Sequence, residues 1–493
     1  MTFDELISLC KPITVSGPEP NTIGALTQDS RKVDEGAVFI AIKGFQVDGH
    51  TFIDDAIDQG ASVIICEESF STDKDICVLE VADTRSLIGP LAQAFEGNPA
   101  DKMKIIGITG TNGKTTVATL TYQALEKLGA HPSLLGTVAK RIGKKEIKSK
   151  LTTSDPIELA ADMAQMVEAG STHLVMEVSS HALDQRRVDG IDFDVAAFTN
   201  LSHDHLDYHE DLKSYAAAKK ILFDNLDRED TAIINGDDKQ ANFIAMDCPA
   251  HIIKFSFKKA LKAECQILSS SIDGLVLRIG KTIIESPLVG TFNAYNLTES
   301  FLICRALGYD ESEVAEIMES LPGAAGRLER IEGSGKHGNP IVLVDYAHTP
   351  DALENVASTL ADIKGEDQEL HIVFGCGGNR DKSKRPKMAK IAEKYGDKVT
   401  CTSDNPRNEN PDTIIDDIMK GFADRDRIER TTDRKKAIEK AIYDGTPHTM
   451  ILIAGKGHET YQEIAGERHN FDDRKIARKA LSHRNSNSQN EVT

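Results

Sequence analysis

No two of the eight cysteines stand in Cys-x-x-Cys spacing, which argues against a zinc ribbon or a dithiol redox motif. A chain of 493 residues has no need of a disulfide framework, so reduced thiols are expected. Uninterrupted apolar stretches of membrane-spanning length are also missing. The first residues, MTFDELISLCKP, are acidic and lack the basic start and apolar run of a signal peptide. These absences predict a cytoplasmic protein. There is no excess of positive charge either: the net charge is −20. That excludes a general binder of nucleic acid or anionic membranes, but not an anionic small molecule held in a local cationic pocket. No repeat of solenoid period is present.

What is present is a stretch that organises the rest, KIIGITGTNGKTTVATLTYQALEKLG, from Lys104 to Gly129. The apolar run Ile105 to Ile108 predicts a buried parallel strand. Gly107, Gly110 and Gly113 punctuate a turn, and helical spacing begins at Lys114. Strand, glycine turn and helix form the context of a phosphate-binding loop. Backbone N–H groups approach the phosphates, Lys114 reaches the terminal ones and the Thr115 hydroxyl binds Mg2+. The common pattern Gly-x-x-x-x-Gly-Lys-Thr needs glycine at position 108, where Ile108 stands.

Length and alternation of elements predict several α/β domains. Residues 1 to 100 read as a small α/β unit in which Asp29-Ser30 caps a turn. From 101 to 325, strands and helices alternate, implying a mostly parallel sheet with ligands at the carboxyl ends of its strands. Thr172 to Leu183 and Asp194 to His209 read as strands, with Glu177, Ser179, His203 and His205 at their ends. The segment GTFNAYNLTESFLICRALG reads as an amphipathic helix. LPGAAGRLERI, Leu321 to Ile331, reads as a linker. Beyond it, 326 to 493 restarts the alternation.

Several clusters admit two readings. His203, His205 and Asp207 share a strand face and suit a metal or a metal-free polar loop equally. Glu177 is either a metal ligand at the phosphate loop or a surface carboxylate. Lys219 and Lys220, among alanines, read from composition as a solvated pair. Gly375 to Gly378 with Arg380 can form an anion site. Polar loops at Asp345, Gly375, Asp404 and Gly455 follow four consecutive strands of one domain, a pattern that favours a site over unrelated turns.

GITGTNGKTT, LTTSDP, MEVSSHALDQRRV, NLSHDHLDYH, YAAAKKILF, GTFNAYN, GRLERI, DYAHTPDAL, FGCGGNRDKSKRP, SDNPRNENP and AGKGHE together resemble the Mur ligase family, as does LTQDSRKVDEGAVFIAIKG near the start. The resemblance covers almost the whole chain, and the family's variant loop lacks the glycine at 108. It implies three α/β domains: a UDP-substrate-binding domain over 1–100, a P-loop-type parallel-sheet ATPase domain over 101–325, and a Rossmann-like amino-acid-binding domain over 326–493.

The resemblance also implies an ATP-dependent ligase of peptidoglycan precursor synthesis, adding meso-diaminopimelate to UDP-N-acetylmuramoyl-L-alanyl-D-glutamate. Its small-molecule substrates would be joined by a monomer without nucleic-acid partners or membrane insertion. By motif, Lys114, Lys219 and His205 are catalytic, and Gly110, Thr111, Asn112, Gly113, Lys114, Thr115, Thr116, Asn293, Asn296 and Asp345 bind ATP. Ser30, Thr153, Ser154, Ser179, Gln185 and Arg187 contact the UDP-dipeptide. Mg2+ is held by Thr115, Glu177, His205 and Lys219, the last as its carbamate.

Arg380, Asp404, Asn405, Pro406, Arg407, Gly455 and Glu459 match the diaminopimelate side. A guanidinium at 407 pairs with the second carboxylate that lysine lacks, Glu459 accepts from the distal ammonium, and an unpaired buried Arg407 would penalise lysine. A lysine-adding ligase of the same type, a folylpolyglutamate synthase-like ligase and a non-enzymatic P-loop regulator are the alternatives. The LTTSDP, DYAHTPDAL and DNPR set weighs against the second, and the four polar strand ends against the third.

Overall fold

The computed structural model describes residues 1–44, 47–70, 72–202, 208–258, 263–336 and 338–490. Two compact units emerge from the contacts: Met1–Ala263 with Glu299–Asp310, and Glu264–Thr298 with Glu311–Thr493.

In the first unit, the strands Leu26–Thr27, Val38–Ile40, Val63–Cys66 and Cys77–Glu80 pair in parallel, and Thr14–Ser16 closes one edge antiparallel. The helix Thr84–Phe95 covers this sheet through Ile88 and Leu91. A Cβ on its Gly89 would run into the Asp189 carbonyl, so only glycine permits this approach. Gly190, at φ +79°, packs against the same helix, where an added Cβ would lie 2.8 Å from the Pro90 nitrogen. Gly89→Ala is therefore expected to cost about 1–3 kcal/mol, because the clash is with backbone and no rotamer relieves it. Denaturant unfolding should show the lowered midpoint, and an unchanged midpoint would contradict the close approach.

The second sheet of this unit is built from runs that bury both faces. Ile105, Ile106 and Ile108 are fully buried, as expected of an interior parallel strand. Lys104–Thr109 lies between His173–Glu177 and Val195–Phe198, with Pro132–Leu135, Thr231–Asn235 and His251–Ser256 farther out, all parallel. The chain passes first to one side of Lys104–Thr109 and later to the other, which makes that strand's carboxyl end a topological switch point. Gly107 is inside this strand rather than in the turn. A Cβ there would sit 2.7 Å from the Phe193 ring, so the residue is glycine for packing.

In the second unit, Ile341–Asp345, Thr449–Ala454, Glu369–Phe374, Lys398–Cys401 and Ile428–Arg430 form a parallel sheet in that order, with Glu329–Arg330 antiparallel at one edge. Four of these strands deliver their loops to one end, as the alternation predicts. The antiparallel strands Ala263–Ser271, Gly274–Ile279 and Thr282–Ser286 were not legible in the sequence.

Three local expectations are corrected. Thr172 to Leu183 is not one strand: His173–Glu177 ends early, and Ser180–Asp184 is helical, with Ser179 capping through its hydroxyl to the Ala182 N–H. The strand expected over Asp194 to His209 ends at Phe198. The helix Thr291–Ala306 is not amphipathic, since Asn293, Ala294 and every residue from Asn296 to Cys304 are buried. Burial holds its Glu299 carboxyl well above the usual carboxylate range.

Candidate functional site

The first cluster grows from the phosphate loop. Gly110, at φ +149°, and Gly113, at φ +90°, turn the chain between the strand and the helix Lys114–Lys127. The loop is tied down from Asn200: its carbonyl accepts from the Thr111 N–H at 2.8 Å and its Oδ1 from the Asn112 N–H at 3.0 Å. Thr199 Oγ1 donates to the Asn112 carbonyl. Lys114 Nζ donates to the carbonyls of Gly110 and Thr111 at 2.8 and 2.9 Å. Thr116 is buried in the first helical turn. A rigid, glycine-shaped loop at a helix N-terminus with an ammonium across it suits a polyphosphate.

Glu177, 1% exposed, ends its strand beside this loop. Its Oε2 accepts from Thr115 Oγ1 at 3.0 Å and Thr137 Oγ1 at 3.1 Å, and its Oε1 from the Thr137 N–H at 2.8 Å. It is therefore not a surface carboxylate. A carboxylate and hydroxyls grouped at a phosphate loop are the hard oxygen donors that Mg2+ requires.

Lys219 and Lys220 are both buried, and the solvated-pair reading fails. Composition could not show that their helix, Leu212–Asp224, packs this face inward. Lys219 Nζ donates to the Gly110 carbonyl at 2.9 Å and lies 4.5 Å from the Tyr215 ring centre. Lys219 and Lys114 thus meet at one carbonyl oxygen, where two ammonium groups repel each other. Lys220 pairs with Asp224 instead. His203, His205 and Asp207 lie outside the described residues.

A polar layer adjoins Glu177. Thr153 Oγ1 donates to the Glu177 carbonyl at 2.8 Å and accepts from the Ser179 N–H at 3.1 Å. Arg187 holds the Thr153 carbonyl at 3.0 Å and donates twice to Gln185 Oε1, while Gln185 Nε2 donates to the Tyr208 hydroxyl. The structure thus gathers Thr153, Ser179, Gln185 and Arg187. Ser154 is buried in the same segment. Ser30 is buried in a turn of the N-terminal sheet region, capped by Asp29 as expected.

In the second unit, the four strand-end loops touch one another. The Gly455 N–H donates to the Asp345 carbonyl at 3.1 Å, and that of Gly378 donates to the Asn405 carbonyl at 2.9 Å. Gly455, at φ +119°, leaves room for Asp404, whose Oδ2 would lie 2.6 Å from an added Cβ. Pro406 is buried. Asp345 accepts from the Leu328 and Ala347 N–H groups, and burial pushes its carboxyl up against the opposing pull of Arg327. Arg327 lies over the Tyr346 ring at 4.8 Å. Asn293 and Asn296, both buried, are joined at 2.9 Å.

The anion site expected at Gly375 to Gly378 is corrected in part. The Gly378 N–H is spent on Asn405, the Asn379 N–H on Glu409, and Arg380 is exposed. Arg407 stands at φ +51°, its N–H on the Glu463 carbonyl. Its Nη1 donates to the Gly378 carbonyl at 2.8 Å, and its Nε is 3.6 Å from Glu463 Oε2. The guanidinium has protein partners of its own, so the penalty for leaving it unpaired is smaller than the sequence argument assumes.

Sequence reasoning missed Thr137 and Glu463, and gave Lys456, in the AGKGHE motif, no role of its own. Lys456 is fully buried, with Nζ on Asn405 Oδ1 at 3.0 Å and Glu459 Oε2 at 2.8 Å. Its place between two glycines was the one available signal. The loop can turn the side chain inward there.

Three family descriptions match: the Mur ligase family, catalytic domain, over residues 22–96; the Mur ligase middle domain over 108–304; and the Mur ligase, glutamate ligase domain over 326–457. A UDP-N-acetylmuramoyl-L-alanyl-D-glutamate–2,6-diaminopimelate ligase of Cytophaga hutchinsonii is 41% identical over 485 residues, 98% of this chain and 99% of that one. The Parabacteroides distasonis protein of the same name is 41% identical over 486 residues, 98% and 99% of the two chains. A solved structure of a ligase of that name superposes with a TM-score of 0.73 at 32% identity, covering 98% of this chain and 99% of the other. With relatives this similar along nearly its full length, the chain belongs to the Mur ligase family.

Proposed function

We propose that this ligase adds meso-diaminopimelate to UDP-N-acetylmuramoyl-L-alanyl-D-glutamate. The reaction is ATP-dependent: transfer of the γ-phosphoryl group to the D-glutamyl carboxylate gives an acyl phosphate, attack by the incoming amine gives a tetrahedral intermediate, and its collapse expels phosphate. Lys114 and the N–H groups of Gly113 to Thr116 would stabilise charge on the transferring phosphoryl group, while the Thr111 and Asn112 N–H groups hold the loop to Asn200. Thr115, Glu177 and Lys219 as its carbamate would hold Mg2+, which supplies charge neutralisation at the phosphate oxygens. His205 is assigned to the second metal by motif alone.

Thr153, Ser154, Ser179, Gln185, Arg187 and Ser30 would bind the UDP-dipeptide. Asn293, Asn296 and Asp345 would take the adenosine side of ATP. Arg380, Asp404, Asn405, Pro406, Arg407, Gly455 and Glu459 would take diaminopimelate. The division into domains at 1–100, 101–325 and 326–493, the monomeric state and the cytoplasmic location belong to the same reading. No described helix is long and apolar enough to cross a membrane.

Arg407 carries the choice of amino acid. It is a guanidinium pre-oriented by Gly378 and Glu463, and a dicarboxylic amino acid offers it a partner that lysine does not. Phosphate release with ATP, the UDP-dipeptide and either amino acid tests this directly. Diaminopimelate is expected to be strongly preferred, and Arg407→Ala to raise its KM by about 10²-fold, the range for truncating one partner of a charge pair. A preference for lysine in the unaltered chain would overturn the assignment.

A further inference from the structure

We infer that Lys456 is a positioning residue that sets the Glu459 carboxylate for the distal ammonium of the amino-acid substrate, a step that rests on the function proposed above. Gly455, at φ +119°, and Gly457, at φ +52°, bracket the lysine. A Cβ on Gly457 would lie 2.6 Å from the Gly326 carbonyl oxygen and 2.7 Å from Tyr346 Cβ, so the loop has one path. That path turns the Lys456 side chain into the protein, where its exposure is zero.

A fully buried ammonium survives only with anionic or polar partners on its donors. Here these are Asn405 Oδ1 at 3.0 Å and Glu459 Oε2 at 2.8 Å, with the Tyr461 ring centre at 5.4 Å. Asn405 completes the triangle, its Nδ2 donating to the same Glu459 Oε2 at 2.8 Å. Asn405 Oδ1 also accepts from the Glu463 N–H at 3.0 Å, and the Arg407 N–H donates to the Glu463 carbonyl. One buried cation thereby ties the loop of Asp404 to Arg407 to the loop of Gly455 to Glu459. The Glu459 side chain keeps 16% exposure. A ligand therefore meets the carboxylate and not the lysine behind it. The carboxylate's orientation is fixed by two donors on one oxygen, so it presents a preset acceptor to an ammonium without paying to order itself.

The test compares Lys456→Met with the unaltered chain on meso-diaminopimelate and on 2-aminopimelate, which keeps both carboxylates and lacks the distal ammonium. The KM for diaminopimelate should rise at least tenfold. That for 2-aminopimelate should change less than twofold, because nothing on it faces Glu459 and Arg407 keeps its own ties to the Gly378 and Glu463 carbonyls. Acyl-phosphate formation, trapped as the hydroxamate with hydroxylamine and no amino acid, should be unchanged and also reports folding. If hydroxamate formation is lost, Lys456→Gln, which keeps a donor without the charge, takes its place with a smaller rise of the same selectivity. Equal rises on both amino acids, or none, would overturn the inference alone. An unaltered chain that forms hydroxamate but does not turn over diaminopimelate would overturn the proposed substrate and the inference with it.

Discussion

Lys114→Ala should lower ATP-dependent phosphate release by about 10³-fold while leaving the fold intact. The residue opens the helix Lys114–Lys127, and its ammonium is held by the Gly110 and Thr111 carbonyls across the loop. Little covalent chemistry falls to the protein in phosphoryl transfer, so the fixed positive charges carry most of the acceleration. Removing Lys114 leaves the loop's shape untouched, because Asn200 and Thr199 hold it from the other side. Binding of ATP should therefore weaken less than turnover does, and the loss should appear mainly in kcat. Lys114→Arg should not restore the rate, since a planar fork replaces a compact point charge. Turnover within twofold of the unaltered chain would remove the phosphate-loop assignment.

The parts of the site that were legible in the sequence are those fixed by neighbours along the chain. Ile105, Ile106 and Ile108 read as a buried strand because a short apolar run ahead of a glycine turn fits a parallel sheet covered on both faces, and Lys114-Thr115 follows it at a helix start. The polar loops after Asp345, Phe374, Cys401 and Ala454 share one end because parallel strands deliver all their carboxyl ends to the same side. What stayed hidden depends on residues far away in sequence. Gly107 is glycine because of the Phe193 ring, and Thr137 matters because Glu177 lies 40 positions beyond it. The helix Thr291–Ala306 carries Asn293, Asn296, Thr298, Glu299 and Ser300 in buried positions, so no contrast of polar and apolar faces could reveal how it packs. Burial of Lys219 and Lys456 has the same origin: local composition prices a lysine as exposed, and only tertiary partners reverse that.

Lys219→Ala should lose about 10²–10³-fold of activity and regain part of it when acetate or formate is supplied. The side chain is 1% exposed and donates to the Gly110 carbonyl, the acceptor that Lys114 also uses. Two ammonium groups on one oxygen of a phosphate loop disfavour each other. Conversion of one of them removes that conflict: the neutral amine adds to CO2, an N–C bond forms, a proton leaves to solvent and a carboxylate-bearing anion remains. The anion would sit at the phosphate loop as a hard oxygen donor for Mg2+.

Alanine at 219 leaves room for a small carboxylate to occupy that place, which is why rescue should fall off as the added acid grows. Lys219→Arg keeps the cation but is not expected to form the carbamate, so it should be inactive and not rescued, separating a role for the positive charge from a role for the carbamate. The Tyr215 ring, its centre 4.5 Å from Nζ, borders that place. Full activity of Lys219→Ala without additives, or of Lys219→Arg, would eliminate the carbamate and leave Lys219 as a structural cation under the loop.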